Sequence, residues 1–231
     1  MAYFLLLINC YITHFLSLIL FAVFIILKYM LFKKATTEQE LNDVFTLRYN
    51  VYCHEKGYEK PENYPYGLEI DEYDPYSVHF IGYLGSCPIG TVRLVLSNPN
   101  GFPMEKFCNV DSRDFCSDAR KVAEISRLAV SSVLSKRLSI NKHEFTLSLL
   151  RELCNIANQV NISCLLAAMS TGLDRLLNRC GIRFTRIGSP VDYHGVRIPY
   201  LAHMEDLKNE LYENRRDIFE YFFPLQEYSI K

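Results

Sequence analysis

Between Ser77 and His203 the apolar residues change their spacing several times, and that succession limits the fold more than any other feature of the chain. Val78-His79-Phe80-Ile81-Gly82-Tyr83-Leu84 alternates with period two and reads as a strand. Gly85-Ser86-Cys87-Pro88 reads as a turn, and Ile89 to Leu96 as the returning strand of a hairpin. After an irregular stretch from Asn98 to Asp118, Val122 to Val130 is a third strand. Helical spacing then takes over. Asn141 with Glu144 resembles a cap, and Phe145, Leu149, Leu153, Ile156 and Val160 form one apolar face. Ser163 to Met169 is a buried strand. Thr171 with Asp174 caps a short helix that Gly181 ends. Ile182 to Ile187 and Val196 to His203 read as the last two strands, and Glu205 to Tyr221 as an amphipathic tail helix. Upstream, Thr37 and Glu40 can form a capping box for a helix with Val44, Leu47 and Val51 on one face. Arg48 and Tyr52 share the neighbouring stripe. Hairpin pairing mixed with α–β crossovers implies an α+β fold, a mixed central sheet with flanking helices.

A chain of 231 residues that is 49% hydrophobic has enough material for one domain with a sizeable core. High hydrophobicity and a net charge of −1 exclude global disorder and give no argument for nucleic-acid binding. The neutral total hides an acidic front half and a basic middle, which suggests different partners for different faces; charges scattered over a solvated surface are the bland alternative. The eight cysteines show no two-residue gap of a zinc or redox site, so they read as small buried hydrophobes in a reducing compartment, with no metal. Residues Tyr3 to Leu27 are almost continuously apolar and are followed by Lys28, Lys33 and Lys34. That pattern predicts an N-terminal transmembrane helix in the cytoplasmic membrane with the remaining domain on the cytoplasmic side. Alternatively, a misassigned start codon adds a non-native leader to a cytoplasmic protein. The expected division is an anchor over 1–32, a linker over 33–40, a catalytic domain over 41–204 and a tail over 205–231.

Three clusters carry chemistry. Asp71 and Asp74 precede the hairpin that bears Arg93, and an Arg fork can hold a carboxylate in a fixed pose. The cluster is either a loop-tethering ion pair or a receiver for a substrate ammonium. Glu124 and Arg127 stand three apart on a strand and face opposite sides unless a bulge intervenes. Such a bulge would expose backbone N–H groups able to stabilise a thioester oxyanion, with Glu124 taking a proton from an attacking amine. Without it they are two charges on a half-exposed strand. Tyr193-His194-Gly195 is a donor-rich turn, in which His194 is a base, a substrate contact or a surface residue.

Taken together, Gly85-x-x-x-Ile89-Gly90-x-x-Arg93 and the strands and helices after it resemble the GNAT acyltransferase fold, in its autoinducer-synthase-like branch. Acyl-homoserine-lactone synthases carry an Arg and an aromatic four residues on, matched by Arg48 and Tyr52. Tyr58 stands where they have Trp. Asp71 and Asp74 match their Asp-x-x-Asp, Arg93 their hairpin Arg, and Glu124 with Arg127 their Glu-x-x-Arg. The absence of Trp and the Tyr193-to-Arg197 turn look more like N-acyl amino acid synthases and the acyltransferases of PEP-CTERM/exosortase systems.

The resemblance implies a membrane-anchored N-acyltransferase that moves a fatty acyl chain from acyl carrier protein to the amine of an amino acid or related small molecule. The acyl-phosphopantetheine of the carrier is the co-substrate, with acyl-CoA as a second donor, and no cofactor is bound. Glu124, Arg127 and Arg93 are the implied catalytic group. Arg48, Tyr52, Tyr58, Asp71, Asp74, Tyr193 and His194 are the substrate-binding group. Lys136, Arg137 and Lys142 suit an acidic carrier protein. The alternatives are an acyl-homoserine-lactone synthase using S-adenosylmethionine and a non-catalytic lipid- or partner-binding module on the same fold.

Overall fold

The structure, a computed structural model, describes residues 30–116 and 118–224. Its centre is one mixed sheet in the order β1-β2-β3-β4-β5-β8-β6, with the short β7 paired to β8. The strands are β1 (Met30–Lys34), β2 (Ser77–Leu84), β3 (Cys87–Leu96), β4 (Val122–Val130), β5 (Cys164–Met169), β6 (Thr185–Arg186), β7 (Val191–Asp192) and β8 (Val196–His203). Only the β4–β5 pair is parallel; its register runs from Val122 with Cys164 to Ile125 with Ala167 and then stops. Each strand continues beyond that point with its other neighbour, β4 with β3 to Val130 and β5 with β8 to Met169. The sheet therefore opens in its middle.

A bulge accompanies the opening. On β3 Thr91 and Arg93 are two positions apart, while their partners on β4, Ala129 and Ser126, are three apart. Arg127 takes up the extra residue with φ of 50°. Side chains 124, 126 and 127 can consequently share one face, which strict alternation forbids.

Helix α1 (Glu38–Tyr49) begins with the capping box of Thr37 and Glu40 and buries Val44, Leu47 and Arg48. It continues into a wider π turn over Asn50–Glu55. Helix α4 (Lys142–Gln159), capped by Asn141, packs Phe145, Leu149 and Leu153 on the opposite face of the sheet. Gly82 and Gly90 are register partners beneath Phe145, and a Cβ at Gly82 would come within 2.5 Å of its ring. The remaining helices are α2 (Pro103–Cys108), α3 (Ser132–Arg137), α5 (Thr171–Arg179), α6 (Met204–Asn214) and α7 (Arg216–Phe222).

Several expectations are corrected. No helix among the described residues is long and apolar enough to cross a membrane. The expected transmembrane helix and the membrane localisation built on it are not carried forward, and the apolar run before Met30 lies outside the described residues. Its expected downstream end is a strand: Met30–Lys34 pairs with Leu84 to Phe80, and Phe32 packs 4.7 Å from Phe145. Lys33 and Lys34, read as a membrane flank and linker, belong to this edge strand. The tail is two helices, broken at Arg215 (φ −144°, ψ 66°). Ser170, not Thr171, caps α5, and the strand expected over Ile182 to Ile187 shrinks to Thr185–Arg186. Two cysteines read as simple hydrophobes, Cys116 and Cys164, form a disulfide that ties the loop before β4 to the start of β5. His203 Nδ1 lies 3.4 Å from the Cys164 sulfur, and the three residues bring potential metal-ligand atoms together. Sulfurs bonded to one another are not thiolate ligands.

Candidate active site

Three arginines and three carboxylates meet on the α1 side of the sheet. Arg48 is 0% exposed and pairs with Glu69 through Nε and with Asp74 through both terminal nitrogens, at 2.7 and 3.1 Å. Arg93 Nη1 donates to Asp71 and Asp74, both at 2.6 Å, and its Nε to Ser126 Oγ at 3.0 Å. Arg127 donates to Glu69 at 3.1 Å and forms an ion pair with Asp71 at 2.9 Å. The three positive and three negative charges balance, which is how so many ions tolerate burial. Burial pulls the Asp74 carboxyl upward, but Arg48 and Arg93 outweigh it and hold it well below the usual carboxylate range. His79, buried beside Asp74, is pushed down to about 4 by desolvation and stays neutral.

This network fixes the loop from Glu69 to Asp74 and the bulge at Arg127. A non-glycine residue with positive φ is held when its surroundings over-determine it. Here the guanidinium reaches Glu69, Asp71 and, at 3.0 Å, the Tyr193 hydroxyl.

Beside the network a cavity of about 330 Å³ passes through the opening between β4 and β5. Tyr52, Tyr58, Arg127, Tyr193, His194 and Arg197 line its polar mouth. Leu150, Leu173, Leu207, Leu211, Phe222 and Phe223 line the apolar remainder. Glu124 and Ser126, on β4, line it as well. Glu124 is 1% exposed, and its Oε2 accepts the Met104 N–H at 2.8 Å. Desolvation pushes its carboxyl up to about 7, against that hydrogen bond and the two nearby arginines. A carboxyl so tuned can exchange a proton at neutral pH.

Of the residues singled out from sequence, Arg48, Asp71, Asp74, Arg93 and Arg127 share one ion network. Tyr52, Tyr58, Glu124, Arg127, Tyr193 and His194 line the cavity, whereas Arg48, Asp71, Asp74 and Arg93 stand behind its wall. Tyr52 lies 5.8 Å from the Arg127 guanidinium and stacks on His194 at 6.2 Å. His194 faces Glu59 at 3.5 Å and is pushed down to about 4 by burial. Among the basic residues, Lys142 lines the cavity and donates to Ser132 Oγ at 2.9 Å. Burial, and Lys56 after it, lower its pKa. Lys136 and Arg137 are exposed in the last turn of α3, away from the lining.

Sequence reasoning missed Glu69, Ser126, Lys56, Arg197 and the Met104 amide. No sequence signal marked Glu69: Asp71, Asp74 and Glu124 already matched the three arginines in number, and Glu124 pairs with none of them in the structure.

An opened mixed sheet with a bulged central strand, an ion network and a part-apolar cavity defines an acyltransferase of the autoinducer-synthase-like fold. The family model for the N-acyl amino acid synthase FeeM matches residues 43–205, and the chain belongs to that family. It is 26% identical over 148 residues to an acyl-homoserine-lactone synthase of Vibrio anguillarum, covering 62% of this chain and 73% of that protein. The structure of FeeM from uncultured soil microbes superposes with a TM-score of 0.63 at 17% identity, covering 80% of this chain and 96% of that one. BjaI, a CoA-dependent acyl-homoserine-lactone synthase solved with SAM and isopentyl-CoA, gives 0.61 at 18% identity, with coverage of 84% and 87%. Members of the family are acyltransferases, and so is this protein. The expected GNAT-like sheet stands; the membrane anchor and the exosortase association are not carried further.

Proposed function

We propose that the protein moves a fatty acyl chain from the phosphopantetheine thioester of acyl carrier protein to the amine of an amino acid. The observation that carries this reading is Glu124, a buried carboxyl in the wall of a cavity lined by both polar groups and hydrocarbon. The acyl tail lies in the apolar part, each buried methylene contributing about 0.8 kcal/mol. Past Ile125 the β5-facing edge of β4 has no strand neighbour, and its backbone N–H groups at the bulge can donate to the thioester oxygen. The amine nitrogen attacks the carbonyl carbon, and a C–N bond forms. Glu124 accepts the proton that nitrogen loses. The C–S bond then breaks, and the thiolate leaves and takes up a proton. Arg127 and Tyr193 shape the acceptor side, while Arg48, Asp71, Asp74 and Arg93 hold that wall in place.

Lys56 and Lys142 at the cavity, with the exposed Lys136 and Arg137 on α3, favour an acidic carrier as donor. Acyl-CoA is the rival donor, since BjaI is named CoA-dependent. A second reading, acyl-homoserine-lactone synthesis from S-adenosylmethionine, is favoured by the Vibrio relative.

Incubation of the full chain with long-chain acyl carrier protein, an amino-acid panel and S-adenosylmethionine, followed by mass spectrometry, separates these. An N-acyl amino acid supports the proposal. An acyl-homoserine lactone alone supports the second reading, and free fatty acid alone contradicts both.

A further inference from the structure

Four cationic side chains line the cavity: Lys56, Arg127, Lys142 and Arg197. Arg127 is neutralised by Glu69 and Asp71. Lys56 and Lys142 lie close enough to depress Lys142, beside the Glu55 carboxylate that Ser131 and Ser132 hold. Arg197 differs from both arrangements. Among the described residues no carboxylate comes within ion-pairing distance of it, and the only hydrogen bond recorded for its guanidinium goes to the Val196 carbonyl at 3.1 Å.

Its position is nevertheless defined. The guanidinium lies 5.5 Å from the centre of the Tyr58 ring, a cation–π contact. Gly195, with φ of 79°, makes the turn that brings Arg197 alongside Tyr58. Tyr58 and His194 stand 6.1 Å apart, His194 is kept neutral by burial, and Glu59 lies behind it. A part-buried, positioned guanidinium without a carboxylate partner, set among aromatic rings in the lining of a cavity, suits a planar anion.

We infer that Arg197 binds the carboxylate of the acceptor amino acid and is the residue by which the site discriminates against amines that lack one. This rests on the acyl-transfer reading above. The fork of the guanidinium fits a carboxylate in bidentate fashion, and with that end anchored the acceptor's amine can turn toward Glu124. Arg197 is assigned to binding; proton transfer stays with Glu124.

The test uses the full chain, one acyl-pantetheine phosphate donor, and three acceptors: an α-amino acid, its methyl ester and its decarboxylated amine. For the wild type, kcat/KM for the amino acid is expected to exceed that for either analogue at least about tenfold, the loss that a charged hydrogen bond implies. In Arg197→Met that ratio collapses toward one through the acceptor KM, and Arg197→Lys restores part of it. A wild-type enzyme that acylates all three equally overturns the inference while leaving acyl transfer intact, and needs no variant. An Arg197→Met enzyme with an unchanged ratio and a raised donor KM also overturns it, and reassigns the guanidinium to the donor phosphate. A wild type that acylates none of the three overturns the acyl-transfer reading and this inference with it.

Discussion

Glu124→Gln should make the protein more stable and nearly inactive, and the stability gain should grow with pH. The carboxyl titrates at 4.5 in its ordinary state and at about 7 when buried on β4. The folded chain therefore keeps a proton that the unfolded chain releases, and stability falls as pH rises from below 4.5 through about 7. Integrating between those values, the wild type loses about 1 kcal/mol by pH 5 and about 3 kcal/mol by pH 8. Glutamine carries no charge at any of these pH values, and its side-chain oxygen can still accept the Met104 N–H. Urea unfolding of both proteins at pH 5 and pH 8 reads the difference directly. Activity goes the other way: removing a general base costs roughly 10²- to 10⁴-fold in turnover, and the wild-type limb near pH 7 should disappear. A stability difference between the two proteins that is the same at pH 5 and pH 8 would refute the burial argument. Full turnover by Glu124→Gln would refute the assignment of the base.

Other perturbations test the frame around that residue. Asp74→Asn leaves Arg48 and Arg93 short of a buried counter-charge and should cost about 3–5 kcal/mol in chemical denaturation; a loss under about 1 kcal/mol would mean that water reaches the network. The intact protein should likewise weaken as acid protonates Asp74, whose folded carboxyl titrates low. Phe222 is 3% exposed at the apolar end of the cavity, so Phe222→Ala should move the preferred acyl chain to greater length in a mixed-donor competition, and an unmoved preference would place the end of the channel elsewhere. Cys116 and Cys164 close a span of 48 residues, for which chain entropy gives about 4 kcal/mol. A dithiol reductant should lower the melting temperature of the wild type and leave a Cys116→Ser, Cys164→Ser variant unmoved.

The hairpin, β4, α4 and the capping box were legible because each rests on local periodicity or a short-range polar pair. The opening of the sheet was legible only as a condition: Glu124 and Arg127 could share a face if a bulge intervened, and the spacing alone could not supply one. Other elements depend on contacts far apart in sequence. Met30 to Phe32 are as apolar as the run before them, and nothing local distinguishes an edge strand from the end of a longer hydrophobic segment. Cys116 and Cys164 come together through the parallel crossover that places β5 beside β4. Glu69 sits in a loop without periodicity and is defined by two arginines 21 positions before it and 58 after it. Arg197 entered only as the end of the Tyr193-to-Arg197 turn, because its distinction is the lack of a partner, which no local pattern shows.

On this reading the opening between β4 and β5 holds an acyl thioester with its carbonyl at the bulge beside Glu124. A crystal structure of the full chain with a non-cleavable acyl-pantetheine thioether tests it most directly. The hydrocarbon is expected among Leu150, Leu211 and Phe222, with the methylene that replaces the carbonyl lying beside the Ser126-to-Leu128 backbone. A chain bound on another surface, with the channel empty, would contradict it.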